Sequence, residues 1–185
     1  MSCSLLKTSI LSKNLSKDLK KTCLTSSGKG RLKVQNKTYI FGYESFLDNN
    51  VNQWTLALDF PMHNQESFKL DWSESQNIKF TASIEEKILR DNSNVDPKQL
   101  DSFITSLGSF IKEIIDIKNL GSNVSKSFKW STDKKSIKAK DKDERFFAEF
   151  QNLTSDDYFG LMTIRYQFRE QQSYKLDLVV RNCAE

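Results

Sequence analysis

Through most of this chain every second residue is apolar, and no other feature restricts its fold more tightly. Leu32 and Val34 begin the alternation, followed by Tyr39, Phe41 and Tyr43, then Trp54, Leu56 and Leu58, then Phe68, Leu70 and Trp72, then Ile78 and Phe80. A period of two puts these side chains on one face of a pleated strand and the polar residues between them on the other. Asp48-Asn49-Asn50 and Ser73-Glu74-Ser75-Gln76-Asn77 supply turn residues between hairpin partners. The pattern returns later in Phe128 and Trp130, Ile137 and Ala139, then Phe146, Ala148 and Phe150. It closes with Met162, Ile164, Tyr166 and Phe168, and with Tyr174, Leu176, Leu178 and Val180. About ten strands are predicted.

The middle of the chain has another period. Ser83-Ile84-Glu85-Glu86 has the capping-box form, in which hydroxyl and carboxylate satisfy orphan amides at a helix start. Asp96-Pro97-Lys98-Gln99 pairs an N-cap Asp with Pro at the first helical position, and Gly121 supplies a stop. Between them Leu100, Phe103, Ile104, Leu107, Phe110, Ile111, Ile114 and Ile115 form one stripe, which must cover an apolar surface. A shorter amphipathic helix is read over residues 5 to 21, followed by the loop Thr25-Ser26-Ser27-Gly28.

These elements define a mainly β, α+β chain: a half-closed antiparallel barrel or strongly curved sheet with a helical lid inserted mid-chain. A single domain over 1–185 is expected. It comprises a basic arm and helix (1–28), the first strands (30–82), the lid helices (83–121) and the remaining strands (127–182). Such a sheet either fills with side chains or encloses a cavity. The expected lining is Trp54, Leu56, Phe68, Leu70, Trp72 and Phe80 from the sheet, with Phe103, Leu107, Phe110, Ile111 and Ile114 from the lid. Only 37% of the residues are hydrophobic and 28% are charged, yet thirteen Phe, five Tyr and three Trp supply faces that a disordered chain lacks.

Charge is uneven. Residues 1–33 hold eight Lys or Arg against one acid, so a net +4 chain carries +7 there and −3 elsewhere. A basic arm of this kind either meets nucleic acid or an anionic membrane surface, or is a solvated, frayed end. No run reaches the roughly eighteen apolar residues of a membrane span. Met1-Ser2-Cys3-Ser4-Leu5-Leu6 resembles the start of a mature bacterial lipoprotein, which would place a lipid on Cys3. Cys23 and Cys183 flank the first and last predicted strands, where they either staple the chain ends together or remain two thiols.

Catalysis finds little footing. The only histidine, His63, falls in the predicted turn Pro61-Met62-His63-Asn64-Gln65, and no GxSxG or Gly-rich phosphate loop is present. Glu85-Glu86 reads as helix-start charge rather than an acid/base pair. Three cysteines and one histidine show no metal-ligand spacing, and no cofactor is expected. A single-stranded nucleic-acid binder would use outward rings, whereas Phe41, Trp54, Phe68, Trp72 and Phe80 share phase with Leu and Ile. Nucleic acid is therefore not the expected partner.

The stretch Gly30-Arg31-Leu32-Lys33-Val34 through Trp54-Thr55-Leu56-Ala57-Leu58-Asp59-Phe60-Pro61-Met62-His63-Asn64-Gln65-Glu66-Ser67-Phe68-Lys69-Leu70 resembles the bacterial lipoprotein-localisation factors LolB and, more loosely, LolA. The likeness extends over roughly residues 5 to 120 and rests on pattern. It implies a half-closed barrel with a helical lid and a cavity for the acyl chains of a lipoprotein. Pro61 and Met62 would form an exposed apolar tip, and Cys3 a lipid anchor. His63, where the family often has Gly, and the pair Cys23 and Cys183 depart from its pattern. The expected partners are acyl chains or lipoproteins, a membrane surface met through Cys3 and the basic arm, and a periplasmic carrier protein. The expected location is the bacterial periplasm, at the outer membrane. A structural or protein-interaction β domain with a solid core is the second reading, and a single-stranded nucleic-acid binder the third.

Overall fold

A computed structural model describes residues 15–48, 50, 53–61, 66–72, 78–82, 88, 95–120, 127–133, 135–169 and 172–184. At 66, 68–70, 72, 78–82, 169 and 172 the description covers the backbone only. Ten strands precede and follow one long helix. They are β1 (Ser26–Val34), β2 (Lys37–Asp48), β3 (Gln53–Asp59), β4 (Glu66–Trp72) and β5 (Ile78–Ala82), then β6 (Lys129–Thr132), β7 (Ile137–Lys140), β8 (Phe146–Leu153), β9 (Phe159–Arg169) and β10 (Gln172–Cys183). The central helix, Pro97–Leu120, lies between β5 and β6 in the chain.

All ten strands form one antiparallel sheet in the order β5-β4-β3-β2-β1-β10-β9-β8-β7-β6. The sheet is not closed: β5 and β6 are its two edges, and the segment joining them carries the central helix. The first and last strands are neighbours at the centre, with Leu32 opposite Leu176 and Gly30 opposite Leu178. Just beyond that pairing, Cys23 and Cys183 are joined by a disulfide with their Cα atoms 5.7 Å apart.

Local chemistry explains the joints. Val34 pairs with Lys37, leaving Gln35 and Asn36 as a two-residue turn in which Gln35 takes φ 52°. Gly30 lies opposite Phe41, and a Cβ on Gly30 would come within 2.0 Å of the phenyl ring. The missing side chain thus lets the ring lie against the β1 backbone. The helix begins as its sequence signals predict, with the Asp96 carboxylate accepting from the Lys98 amide at 2.9 Å. In its last turn the Lys118 ammonium donates to the Thr22 carbonyl at 3.0 Å, near the negative end of the helix dipole.

One segment differs from its sequence reading. Ser26, Ser27 and Gly28, taken as loop residues, belong to β1, with a register shift between Ser27 and Gly28. Pairing satisfies their polar groups: the Ser26 amide donates to Ser45 Oγ at 3.1 Å, and the two hydroxyls lie 3.0 Å apart. The region of the capping box at Ser83 lies outside the described residues except for Ile88, which is helical and buried. The helix read over residues 5–21 is described only from residue 15, and residues 15–19 are helical.

Alternation sorts the two faces as anticipated. Leu32, Val34, Phe41, Tyr43, Trp54, Leu56, Ile137, Phe146, Ile164, Tyr166, Tyr174 and Leu176 are buried on the face that carries the helix. Half of the helix's 24 residues are buried, wider than a single stripe, because Leu15, Leu19, Ile88 and Val95 join the same core.

Candidate binding face and its helical cover

The inner face of the sheet meets the central helix through rings. Phe103 stacks on Tyr174 at 5.3 Å between centroids and tilts against Tyr166 at 5.9 Å. Two turns on, the fully buried Phe110 is surrounded by Phe128, Trp130, Phe146 and Phe150, with centroids 5.2 to 6.0 Å away. Leu107, Ile111 and Ile114 are buried beside them. Ring contacts of this kind add about 0.5–1.5 kcal/mol each to what area burial supplies.

Among the described residues, one polar tie joins the middle of the helix to the sheet side. Glu113 is buried, and its carboxylate accepts from the Trp130 indole Nε1 and the Ser127 amide, both at 2.6 Å. This single side chain connects the middle of the helix to the start of β6 through two charge-assisted bonds. Near the start of the helix Gln99 is also buried, and its amide oxygen has no donor among the described residues. Such an oxygen costs about 1–3 kcal/mol when desolvated and unpaired.

Burial raises two phenols on this face. Tyr174 is pushed up to about 12, first by burial, then by the charge of Asp96 and by Tyr166. Tyr43 is raised by burial, with the Ser26 hydroxyl opposing. Both stay neutral at physiological pH and act as apolar walls with a polar tip. Tyr43, Ser26, Ser45, Trp54 and Met162 help line an internal cavity of about 20 Å³ near the disulfide, room for about one water. The Trp54 indole donates to the Leu24 carbonyl at 3.0 Å on its border.

The expected lining residues fall into two groups. Trp54, Leu56, Phe103, Leu107, Phe110, Ile111 and Ile114 are buried in the same core cluster. For Phe68, Leu70, Trp72 and Phe80 the backbone register is described but the side chains are not. Leu56 pairs with Phe68, Trp54 with Leu70, and Leu70 with Phe80, so these positions follow one face of the sheet. Pro61 is exposed at the end of β3. Met62, His63 and Cys3 lie outside the described residues.

Glu113 escaped the sequence reading, although a carboxylate within Phe110-Ile111-Lys112-Glu113-Ile114-Ile115 was a visible signal that a buried donor had to exist. Among the described residues no group of three or more His, Cys, Asp or Glu side chains could hold a metal ion. No helix among them is long and apolar enough to cross a membrane. Comparison with models of known protein families and with curated proteins finds no match.

Proposed function

We propose that this chain is a non-enzymatic carrier of acyl chains or lipoproteins at the bacterial periplasm–outer membrane interface, in which the central helix acts as a lid. The open sheet would then serve as a half-closed barrel with the helix closed over it. One observation carries the reading: the helix covers the apolar face of an unclosed sheet through side-chain packing concentrated at rings. Acyl chains entering beneath Phe103 and Phe110 would exchange one apolar neighbour for another. Each methylene withdrawn from water contributes about 0.8 kcal/mol. The unpaired Gln99 oxygen lowers the cost of lifting the start of the helix. The Cys23–Cys183 bond supports an oxidising compartment, and the carrier would meet the membrane through a lipidated Cys3 and the basic arm.

A second reading has its own observation. Phe110 is fully buried and packed on several sides by rings, as in a solid core that binds its partner elsewhere. Titration of the full chain with a fluorescent fatty acid separates the two. A carrier binds it, releases it to unlabelled fatty acid, and binds it more readily once Glu113→Ala loosens the lid. Absence of uptake by both chains while they remain folded establishes the solid core.

A further inference from the structure

The outer face of the sheet carries a charge pattern that only the strand register makes visible. Lys33 on β1 lies opposite Lys175 on β10, and Lys175 lies opposite Arg165 on β9. Arg165 lies opposite Phe147 on β8, Phe147 opposite Lys140 on β7, and Lys140 opposite Lys129 on β6. One cross-strand row thus presents five cations and one ring over six consecutive strands, a span of about 24 Å at the usual strand spacing. No acidic residue occupies a position in it. Lys175 leans along its strand to Asp177 at 3.0 Å, Lys140 reaches Glu144 at 3.6 Å, and the Arg165 guanidinium lies 5.8 Å from the centre of the Phe147 ring. Lys33, Arg165 and Lys129 are exposed.

The neighbouring row is built differently. Arg31, Asp177, Thr163, Glu149 and Lys138 follow one another across the sheet, and their charges are paired. Asp177 accepts from Arg31 at 2.8 Å and from Thr163 at 2.9 Å, while Lys138 reaches Glu149 at 3.3 Å. In the cationic row the carboxylates that meet Lys175 and Lys140 come from outside it, and Lys33, Arg165 and Lys129 stay exposed. Like charges directly opposite one another oppose sheet formation, so an anionic surface that meets Lys33, Arg165 and Lys129 relieves repulsion that the local pairs of Lys175 and Lys140 offset only in part.

We infer that this row docks the protein on an anionic lipid bilayer, its lysines and arginines reading headgroup phosphates. The row and the exposed apolar residues beside it share the outer face. Ile40, which is 63% exposed, lies opposite Arg31, and Val179, 47% exposed, lies opposite Lys29. A row of cations with exposed aliphatic side chains one and two rows away suits a headgroup layer with acyl chains beneath it. A single-stranded nucleic acid would need free rings to stack its bases, whereas the ring in this row is half-buried and covered by Arg165. The inference does not depend on the helix moving, since it concerns the opposite face of the sheet.

The test is co-sedimentation of the full chain with phosphatidylcholine vesicles with and without phosphatidylglycerol. The native chain is expected to sediment with the anionic vesicles in low salt and to detach as salt rises. Each cation near the surface contributes about five-fold, so Lys33→Gln/Arg165→Gln/Lys129→Gln should weaken partitioning about a hundredfold. Lys98→Gln/Lys135→Gln/Lys142→Gln removes the same charge from exposed positions outside the row and should retain binding. Circular dichroism confirms that both variants fold. Equal loss in the two variants, no loss in the first, or binding of a single-stranded oligonucleotide in preference to the vesicles overturns the inference.

Discussion

Removing the Glu113 carboxylate tests how the central helix is held. Glu113→Ala leaves the Trp130 indole and the Ser127 amide without an acceptor that each now holds at 2.6 Å. Hydrogen bonds to a charged group are worth about 1.5–3 kcal/mol each. The loss is offset in part, because burying a carboxylate carries its own desolvation cost. A net destabilisation of about 2–4 kcal/mol follows. For a chain of this length that corresponds to a fall in Tm of roughly 5–15 °C. The decisive assay is a double-mutant cycle with Trp130→Phe, which keeps a ring against Phe110 while removing the indole donor. Urea unfolding followed by far-ultraviolet circular dichroism should give a coupling energy of about 1.5–3 kcal/mol. Coupling below about 0.5 kcal/mol would refute the reasoning, since it would mean that water or another group replaces the tie at no cost.

Two further outcomes are expected. Cys23→Ser/Cys183→Ser opens a loop of 160 residues and, on the chain-entropy model, should lower unfolding stability by up to about 5 kcal/mol while increasing the urea m-value; unchanged denaturation curves would contradict it. The Asp177 carboxyl is raised by burial, but the hydrogen bonds from Arg31, Lys175 and Thr163 outweigh this and hold it below its ordinary 3.8. Its contribution to stability is therefore complete above that ordinary value and is lost as pH falls through the depressed folded value. Asp177→Asn should flatten this acid limb of the urea midpoint, and a limb of unaltered slope would show that other carboxylates cause it.

Much of the fold was legible because burial on one face imposes a period that ordinary side chains cannot disguise. Trp54-Thr55-Leu56-Ala57-Leu58 could only be a half-buried strand, and Asp96-Pro97 announced the helix that follows. The partner of each strand was less visible. Alternation states which face a residue occupies but not which strand lies beside it, so the central pairing of β1 with β10 was hinted at only by the positions of Cys23 and Cys183. Ser26 and Ser27 read as loop because their hydroxyls suit turns, and only a second hydroxyl, on Ser45, made a buried strand position tolerable. The cationic row was invisible for the same reason. Lys33, Arg165 and Lys129 are far apart in sequence, and local reading assigned them to three separate strands as polar positions between apolar ones. For the candidate face, Phe103, Leu107, Phe110 and Ile111 were found by helical period alone, whereas the role of Glu113 required knowing where Trp130 would come to rest.

The adjacency of β1 and β10 also governs the order in which the molecule can be made. As the chain emerges from its amino end, β1 to β5 can pair among themselves by hairpins, but the flank of β1 that belongs to β10 stays bare until the last strand has been synthesised. Throughout that interval the nascent sheet shows an unpaired strand edge beside Leu32 and Val34, the kind of edge that recruits other chains. A protein with this topology gains from an escort that shields β1 during synthesis, and its yield in a cell should depend on how quickly β10 arrives.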